Sequence, residues 1–366
     1  MFDQLLKKIA SNAPKIDFAG KFPFQEFEWM REEGLFTIVL PGQILDYNKP
    51  GFKYLLQLLK NIGSANLSVG KIYEGHLNAL QLIHFFGTSQ QKKIWYNSIL
   101  NEEKLFGVWN TEEENGVEIL ETSNGYRLKG CKTFCSGTHW ITRPIVTGKL
   151  ISSKKIGWQM VVIPVEKVLE IKEDKSFWNP IGMKASASFK MDFTGVEIGE
   201  DDLLGDANSY YKEPFFNGGS IRFASVQLGG ALAVIESTHQ FLKKYKRTGT
   251  DFQRARMTEM MMLAESGNNW LINAATKIDE WMKQPESIAK ITNYAGLARL
   301  AIENICSRIL YLSGVSVGSR GLLKPNELER LHRDLSFYLR QPGPDSVTID
   351  IGKYLFSKEK IENVWS

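Results

Sequence analysis

The spacing of apolar positions changes twice along the chain, and those changes divide it into three stretches. From residue 1 to about 105 the period is helical. FKYLLQLLKNIG sets Leu55, Leu56, Leu58 and Leu59 in a wide stripe, with Gly63 as the expected stop of that helix. EGHLNALQLIHFF (74–86) predicts a mostly buried helix ending before Gly87, while PGQ (41–43) and NKPG (48–51) predict loops. Between roughly 106 and 210 the period falls to two. Asn124-Gly125 is a hairpin dipeptide between EILET and YRLKG, and WQMVVIPV (158–165) and FKMDFTGVEI (189–198) read as further strands. Five or more short strands in this stretch fit a small barrel or a two-sheet unit.

From about 219 the helical period returns in long elements. IRFASVQLGGALAVIESTHQFLKKYKR, QRARMTEMMMLAESGNNWLINAATKIDEWM, ESIAKITNYAGLARLAIENICSRILYL and the shorter NELERLHRDLSFYLR predict a four-helix bundle around an apolar seam. The methionines at 257–262 are expected to fill core, and VTIDIGKYLF predicts a last short helix or packed tail. The expected fold class is therefore α+β and multidomain. A helical domain spans 1–105, a β-barrel-like domain 106–210 and a helical bundle 211–366.

Composition narrows the function classes. The 366 residues are 43% hydrophobic and 23% charged, enough for a sizeable core. A formal charge of +4 with no dense Lys/Arg run offers no nucleic-acid groove; KKYKR (243–247) is a short basic cluster at a helix end. Cys131, Cys135 and Cys306 show no paired Cys/His spacing, so neither a disulfide framework nor a zinc site is expected. The start, MFDQLLKKIA, lacks an apolar signal region, and the apolar runs read as too short to span a bilayer. The expectation is a soluble cytoplasmic protein with no membrane and no nucleic-acid partner.

Candidate chemistry concentrates at 107–137. Two strand-like segments each end in a small polar cluster beside an aromatic, Trp109-Asn110-Thr111 and Phe134-Cys135-Ser136. Backbone amides, two hydroxyls and a flat apolar face suit a planar ring rimmed with heteroatoms. Taken singly, Trp109 and Phe134 also fit plain core aromatics, and Arg247 a solvated helix-end charge.

The order helix, strand, bundle, with these clusters in its middle, resembles the acyl-CoA dehydrogenase family from about residue 34 to 345. GVWNTEE resembles the family's strand ending in a Thr-Glu pair, and GYRLKGCKTFCSG its G-x-K-x-W-(I/C)-(S/T) segment. NPIGMKASASFKMDFTGVEI resembles the G-M-R-x-S-x-S strand and the edge that follows, ahead of Leu203 to Gly205. YKRTGTDF puts Arg247 in the family's arginine slot, and LERLHRDL puts Arg333 and Asp334 in its late charged pair. The resemblance implies FAD held between the β domain and the bundle of a homodimer or homotetramer. It implies that Trp109, Asn110 and Thr111 contact the isoalloxazine, with Thr111 bonding a ring heteroatom. Phe134 then covers one ring face, Cys135 lies beside it, and Ser136 stands near N5. Arg247 is implied to meet the pyrophosphate of an FAD bound mainly by a neighbouring subunit.

The chain departs from that pattern where the reaction is decided. Family dehydrogenases take the α-proton of an acyl-CoA with a glutamate. One family position follows the R-D helix, where Arg340, Gln341 and Pro342 stand here; the other precedes an arginine that resembles Arg222, where Ile221 stands. The base is thus unidentified, with Glu213 and Asp345 the nearest substitutes in sequence. A monooxygenase branch of the fold has histidines where Tyr338 and Gln341 lie, and His139 is the histidine placed near the flavin by the resemblance. GVSVGSRG (314–321) falls where the family has an adenosine loop, without its glutamine or double glycine, and reads as a loop between helices. The leading expectation is an FAD-dependent oxidoreductase acting on a CH–CH bond of a small acyl or acyl-like substrate. A flavin monooxygenase or an inactive scaffold on the same fold are the alternatives.

Overall fold

The computed structural model describes residues 2–153, 156–340 and 343–365. The N-terminal helices are α1 (Phe2–Ala19), α2 (Phe24–Glu32), α3 (Phe52–Ala65), α4 (Leu67–Phe86) and α5 (Ser89–Leu100). Local chemistry explains two of their starts. Asn66 accepts the Ser68 and Val69 amides at the head of α4, and Thr88 and Gln91 form a reciprocal capping box on α5.

The β stretch comprises β1 (Phe106–Trp109), β2 (Glu118–Thr122), β3 (Gly125–Lys129), β4 (Cys131–Cys135), β5 (Arg143–Ile151), β6 (Ile156–Val162), β7 (Lys172–Asp174), β8 (Phe189–Asp192), β9 (Glu197–Ile198) and β10 (Leu203–Leu204). They form a seven-stranded sheet in the order β10-β6-β5-β2-β3-β9, with β1 also on β5, and a three-stranded sheet β4-β8-β7. The two-sheet alternative is thus the one adopted. β1 and β2 share one edge of β5: Trp109 pairs with Val146, and Glu118 with Lys149. β2 and β3 close the expected hairpin through Asn124, with Thr122 opposite Gly125.

The bundle follows as α6 (Ser220–Lys244), α7 (Asp251–Trp281), α8 (Ile288–Gly321) and α9 (Glu327–Tyr338), with α10 (Pro344–Phe356) as the predicted last helix. By length and composition α6 and α8 could each cross a bilayer, so the sequence-based statement that the apolar runs are too short is corrected. Within the protein, however, 83% of the α6 apolar window is buried, as a central bundle helix requires; for α8 the share is 44%.

Three local expectations are also corrected. Gly63 does not end α3. It lies inside the helix against α6, where a Cβ would meet the Val226 carbonyl oxygen at 2.3 Å, and Gly229 on α6 would meet the Lys60 carbonyl oxygen at 2.0 Å. These glycines let two helix backbones touch. GVSVGSRG is not an interhelical loop but the end of α8, broken only at Gly318 (φ 66°). Of the methionine patch, Met260 is fully buried, whereas Met261 and Met262 are exposed.

One buried side chain joins the helical and β stretches. The His76 ring on α4 donates from Nε2 to the Phe36 carbonyl at 3.0 Å and accepts the Phe106 amide of β1 at Nδ1, also at 3.0 Å. That pairing fixes a neutral imidazole, and burial pushes it from 6.5 down to about 4. The unfolded chain takes up a proton as pH falls through 6.5, which the folded chain refuses until about 4. Stability present above 6.5 is therefore lost across that window. We expect this group to cost about 2 kcal/mol between about pH 7 and about pH 5. Denaturant unfolding of the protein and of His76→Gln checks it, the variant lacking that part of the slope.

Candidate functional site

The hydroxyl-and-aromatic clusters of the β stretch are joined side by side. The Trp109 indole donates to the Ser136 carbonyl at 3.0 Å, and the Thr133 amide to the Thr111 carbonyl at 2.8 Å. Beneath them Lys132, fully buried, donates to the Asn110 carbonyl at 3.0 Å, pairs with Glu112 at 2.5 Å and lies 4.6 Å from the Trp158 ring centroid. Burial pulls this ammonium down, and Glu112 holds it up. A buried charge persists only with such partners.

Each sequence-predicted site residue can now be placed. Trp109 and Cys135 are buried and support the surface from below. The Asn110 side-chain oxygen is occupied by the Thr147 hydroxyl (2.6 Å) and the Trp158 indole (3.2 Å). Thr111 is exposed. Phe134 is 45% exposed and sits at φ 54°, where the register of β4 against β8 shifts. That bulge turns its ring out of the strand. Ser136 Oγ meets Ser188 Oγ at 2.8 Å, which meets Ser186 Oγ at 2.8 Å, a short hydroxyl chain whose far members are buried. Arg247 stands apart just beyond α6, exposed, with one bond to the Val317 carbonyl at 3.3 Å.

The Phe134 ring leads across to the helices through Trp178. That indole lies 6.1 Å from Phe134 and 5.7 Å from Phe337 of α9, edge-on to both, and the Lys71 ammonium of α4 lies 5.9 Å from its ring. From Lys71 a polar stripe runs along α4 through Glu74, Asn78 and Gln81, spacings that share one helix face. Arg222 of α6, 3% exposed, clasps all three of the latter: Nε to Glu74 at 3.0 Å, and its other nitrogens to Gln81 at 2.5 Å and Asn78 at 2.6 Å. Gly219 leaves the guanidinium its space, since a Cβ there would lie 2.8 Å away. On the far side of Arg222 and Gln81 a cavity of about 290 Å³ opens toward Asp279 and Lys283.

This stripe was missed in the sequence, where 74–86 reads as a mostly buried helix. Its signal was present as polar residues at helical spacing among apolar ones. The positions of the family's bases hold no carboxylate among the described residues: Ile221 is fully buried, and Arg340 is exposed beside Glu303. Gln341 and Pro342 lie outside the described residues. Tyr338 is 2% exposed and its hydroxyl has no hydrogen-bond partner. Of the substitutes, Asp345 is exposed in the first turn of α10. Glu213 accepts from Asn217 and Thr292, burial raising its carboxyl while those bonds oppose the rise. His139 pairs with Glu173. Arg333 and Asp334 do not pair together: Arg333 grips Glu329 and Asp17, and Asp334 accepts the Met183 amide at 2.6 Å.

Comparison with known proteins agrees with this architecture. Residues 3–103 match the family model for the acyl-CoA dehydrogenase N-terminal domain. A probable acyl-CoA dehydrogenase, YngJ of Bacillus subtilis, is 25% identical over 346 residues, covering 90% of this chain and 88% of that protein. The dibenzothiophene monooxygenase of Rhodococcus erythropolis is 22% identical over 387 residues, covering 96% and 91%. The structure of TdsC from Paenibacillus sp. A11-2, solved with FMN and indole, superposes with a TM-score of 0.88 at 18% identity, covering 99% of this chain and 98% of that one. The N-terminal residues are thus similar to the acyl-CoA dehydrogenase N-terminal domain, and the fold of the whole chain is the acyl-CoA dehydrogenase-like one.

Lys132 gives a direct test of how the surface is held. Lys132→Met keeps the volume but strands the Asn110 carbonyl, and is expected to cost about 2 kcal/mol. Denaturant unfolding reads the loss.

Proposed function

We propose that the protein is a flavin-dependent monooxygenase taking FMN, with the isoalloxazine against Phe134 and its heteroatom rim at Thr111 and Ser136. The observation that carries the reaction type is the replacement of both family base positions by non-carboxylate residues, Ile221 at one and Arg340, Gln341 and Pro342 at the other. The family's dehydrogenation takes the α-proton with a positioned carboxylate; Glu74, the acidic residue of the polar stripe, is committed to Arg222. The residues fit a planar ring: Phe134 is exposed on a rigid bulge, and Thr111 and Ser136 flank it. They offer less to an adenosine, because 314–321, where the family pattern has an adenosine loop, is helix. The FMN-bound relative of the same fold supports that choice.

Reduced flavin, when bound, supplies two electrons to dioxygen, one oxygen entering substrate and the other leaving as water. The chain's part is to orient and to exclude water. Phe134, Trp178 and Phe337 form a run of edge-on aromatic rings from the β stretch to α9. Ser136 is the accessible end of the hydroxyl chain that runs through the buried Ser188 and Ser186. Dehydrogenation of an acyl or acyl-like substrate with FAD is the second reading, favoured by the Thr111, Ser136 and Arg247 positions of the family pattern. Either reading takes a small-molecule substrate and a homo-oligomeric, cytoplasmic enzyme.

The test is a visible absorption titration with FMN and with FAD. FMN is expected to bind at least about tenfold, or about 1.4 kcal/mol, more tightly than FAD, and Arg247→Ala to leave its affinity unchanged. Tighter FAD binding that Arg247→Ala weakens would instead favour the dehydrogenase, and uptake of neither flavin would overturn both readings.

A further inference from the structure

The cavity of about 290 Å³ behind the Arg222 clasp is bounded by the loop ahead of α3, the end of α7 and the start of α6, and neither Phe134 nor Thr111 lines it. Most of its wall is apolar, supplied by Phe52, Leu55, Phe85, Phe215, Ile278 and Ile291. The Phe85 and Phe215 rings stand 4.3 Å apart, and Phe85 remains 36% exposed. An apolar hollow with a few convergent polar groups is the usual form of a small-molecule site.

The polar groups converge on the buried guanidinium. Arginine carries five N–H donors, and Arg222 spends three of them, on Glu74, Gln81 and Asn78. One hydrogen on each terminal nitrogen is left without an acceptor among the described residues. Both of those nitrogens face Gly219, where a Cβ would lie 2.8 Å from one and 3.0 Å from the other, and Gly219 is itself part of the cavity wall. The missing side chain leaves the two donors open to the cavity.

The carboxylates of the lining do not reach them. Asp46 accepts the Gly42 and Asn48 amides at 2.8 and 2.9 Å, and Asp279 accepts the Gly51 and Phe52 amides, both at 3.1 Å. Each carboxylate is thus used to hold its own stretch of backbone. The remaining charged members of the lining are Lys49 and Lys283, both exposed. Donors at the closed end and ammonium groups on the outer part leave the cavity suited to an anion. Glu74 already shares the Arg222 charge from the opposite side, which favours a single negative charge over a phosphate dianion.

We propose that this cavity is a second binding site, taking a small organic carboxylate with an apolar body. The carboxylate meets the two spare N–H groups of Arg222, the apolar body lies against Phe85 and Phe215, and Lys283 adds attraction from outside. The site stands independently of the flavin reading, since none of its residues belongs to the Phe134 surface.

Benzoate and benzamide share ring and size and differ in charge, so calorimetric titration with each, on flavin-free and FMN-loaded protein, reads the assignment. Benzoate is expected to bind at least about tenfold more tightly than benzamide, equally in both forms. Met282→Trp, a bulky replacement on the cavity wall, is expected to weaken benzoate at least about tenfold while the unfolding midpoint and FMN uptake stay unchanged. Lys283→Glu is expected to weaken benzoate several-fold and leave benzamide alone. Arg222→Lys is expected to erase the preference; where it does not hold the fold, the two surface variants carry the test. Equal affinities for the two probes, a benzoate affinity untouched by both Met282→Trp and Lys283→Glu, or loss of benzoate binding on FMN loading would each overturn the proposal. Failure of FMN uptake with benzoate binding intact defeats the flavin reading alone.

Discussion

A guanidinium buried at the start of α6 sets the terms for everything around it. Arg222 is 3% exposed, so each of its nitrogens must find an acceptor in the protein. Three lie on one helix, Glu74, Asn78 and Gln81, and they fix both the rotation of α4 and its distance from α6. The same helix then turns His76 toward the first strand of the large sheet, where it takes the Phe106 amide. Through that bond the position of an arginine in the bundle is transmitted to β1 and so to Trp109 at its end.

The β side of the site is built by the opposite means, with one buried ion pair and many short backbone contacts. Trp109 ties the end of β1 to the carbonyl of Ser136, and Lys132 holds the segment between from beneath. Phe134 is then the residue that cannot follow the sheet. Its left-handed backbone turns an aromatic ring outward at the bulge. Strain of this kind persists only where the surroundings over-determine it, and here two hydrogen-bonded clusters do so.

The division into helices, strands and bundle was readable from periodicity because long amphipathic segments and a turn dipeptide such as Asn124-Gly125 act locally. What failed were residues whose meaning is tertiary. Gly63 looks like a helix end in sequence, but α6 requires it to be small. The stretch 314–321 carries enough glycine to read as loop, yet α8 runs through it and yields only at Gly318. The Trp109 and Phe134 clusters could be picked out, though not that one ring supports while the other is displayed. The α4 stripe was hidden for a related reason. Glu74 and Asn78 sit in a helix that reads as mostly buried, and nothing local points to Arg222, 148 residues from Glu74, as the group that takes them.

The two strands that share one edge of β5 also bear on how such a site diversifies. Along β5 only Thr147 and Gly148 separate the partner of Trp109 from the partner of Glu118, yet the chain spends residues 110–117 crossing that interval. The excess length leaves the sheet as a loop whose two ends are pinned by independent strand registers. That loop is itself tied to β4, by the Thr133 amide on the Thr111 carbonyl, by Lys132 on Asn110 and Glu112, and by the Cys131 amide on the Asn115 carbonyl. The rim at Thr111 and the strand that displays Phe134 therefore form one unit, and a change in the length of this crossing is felt by both.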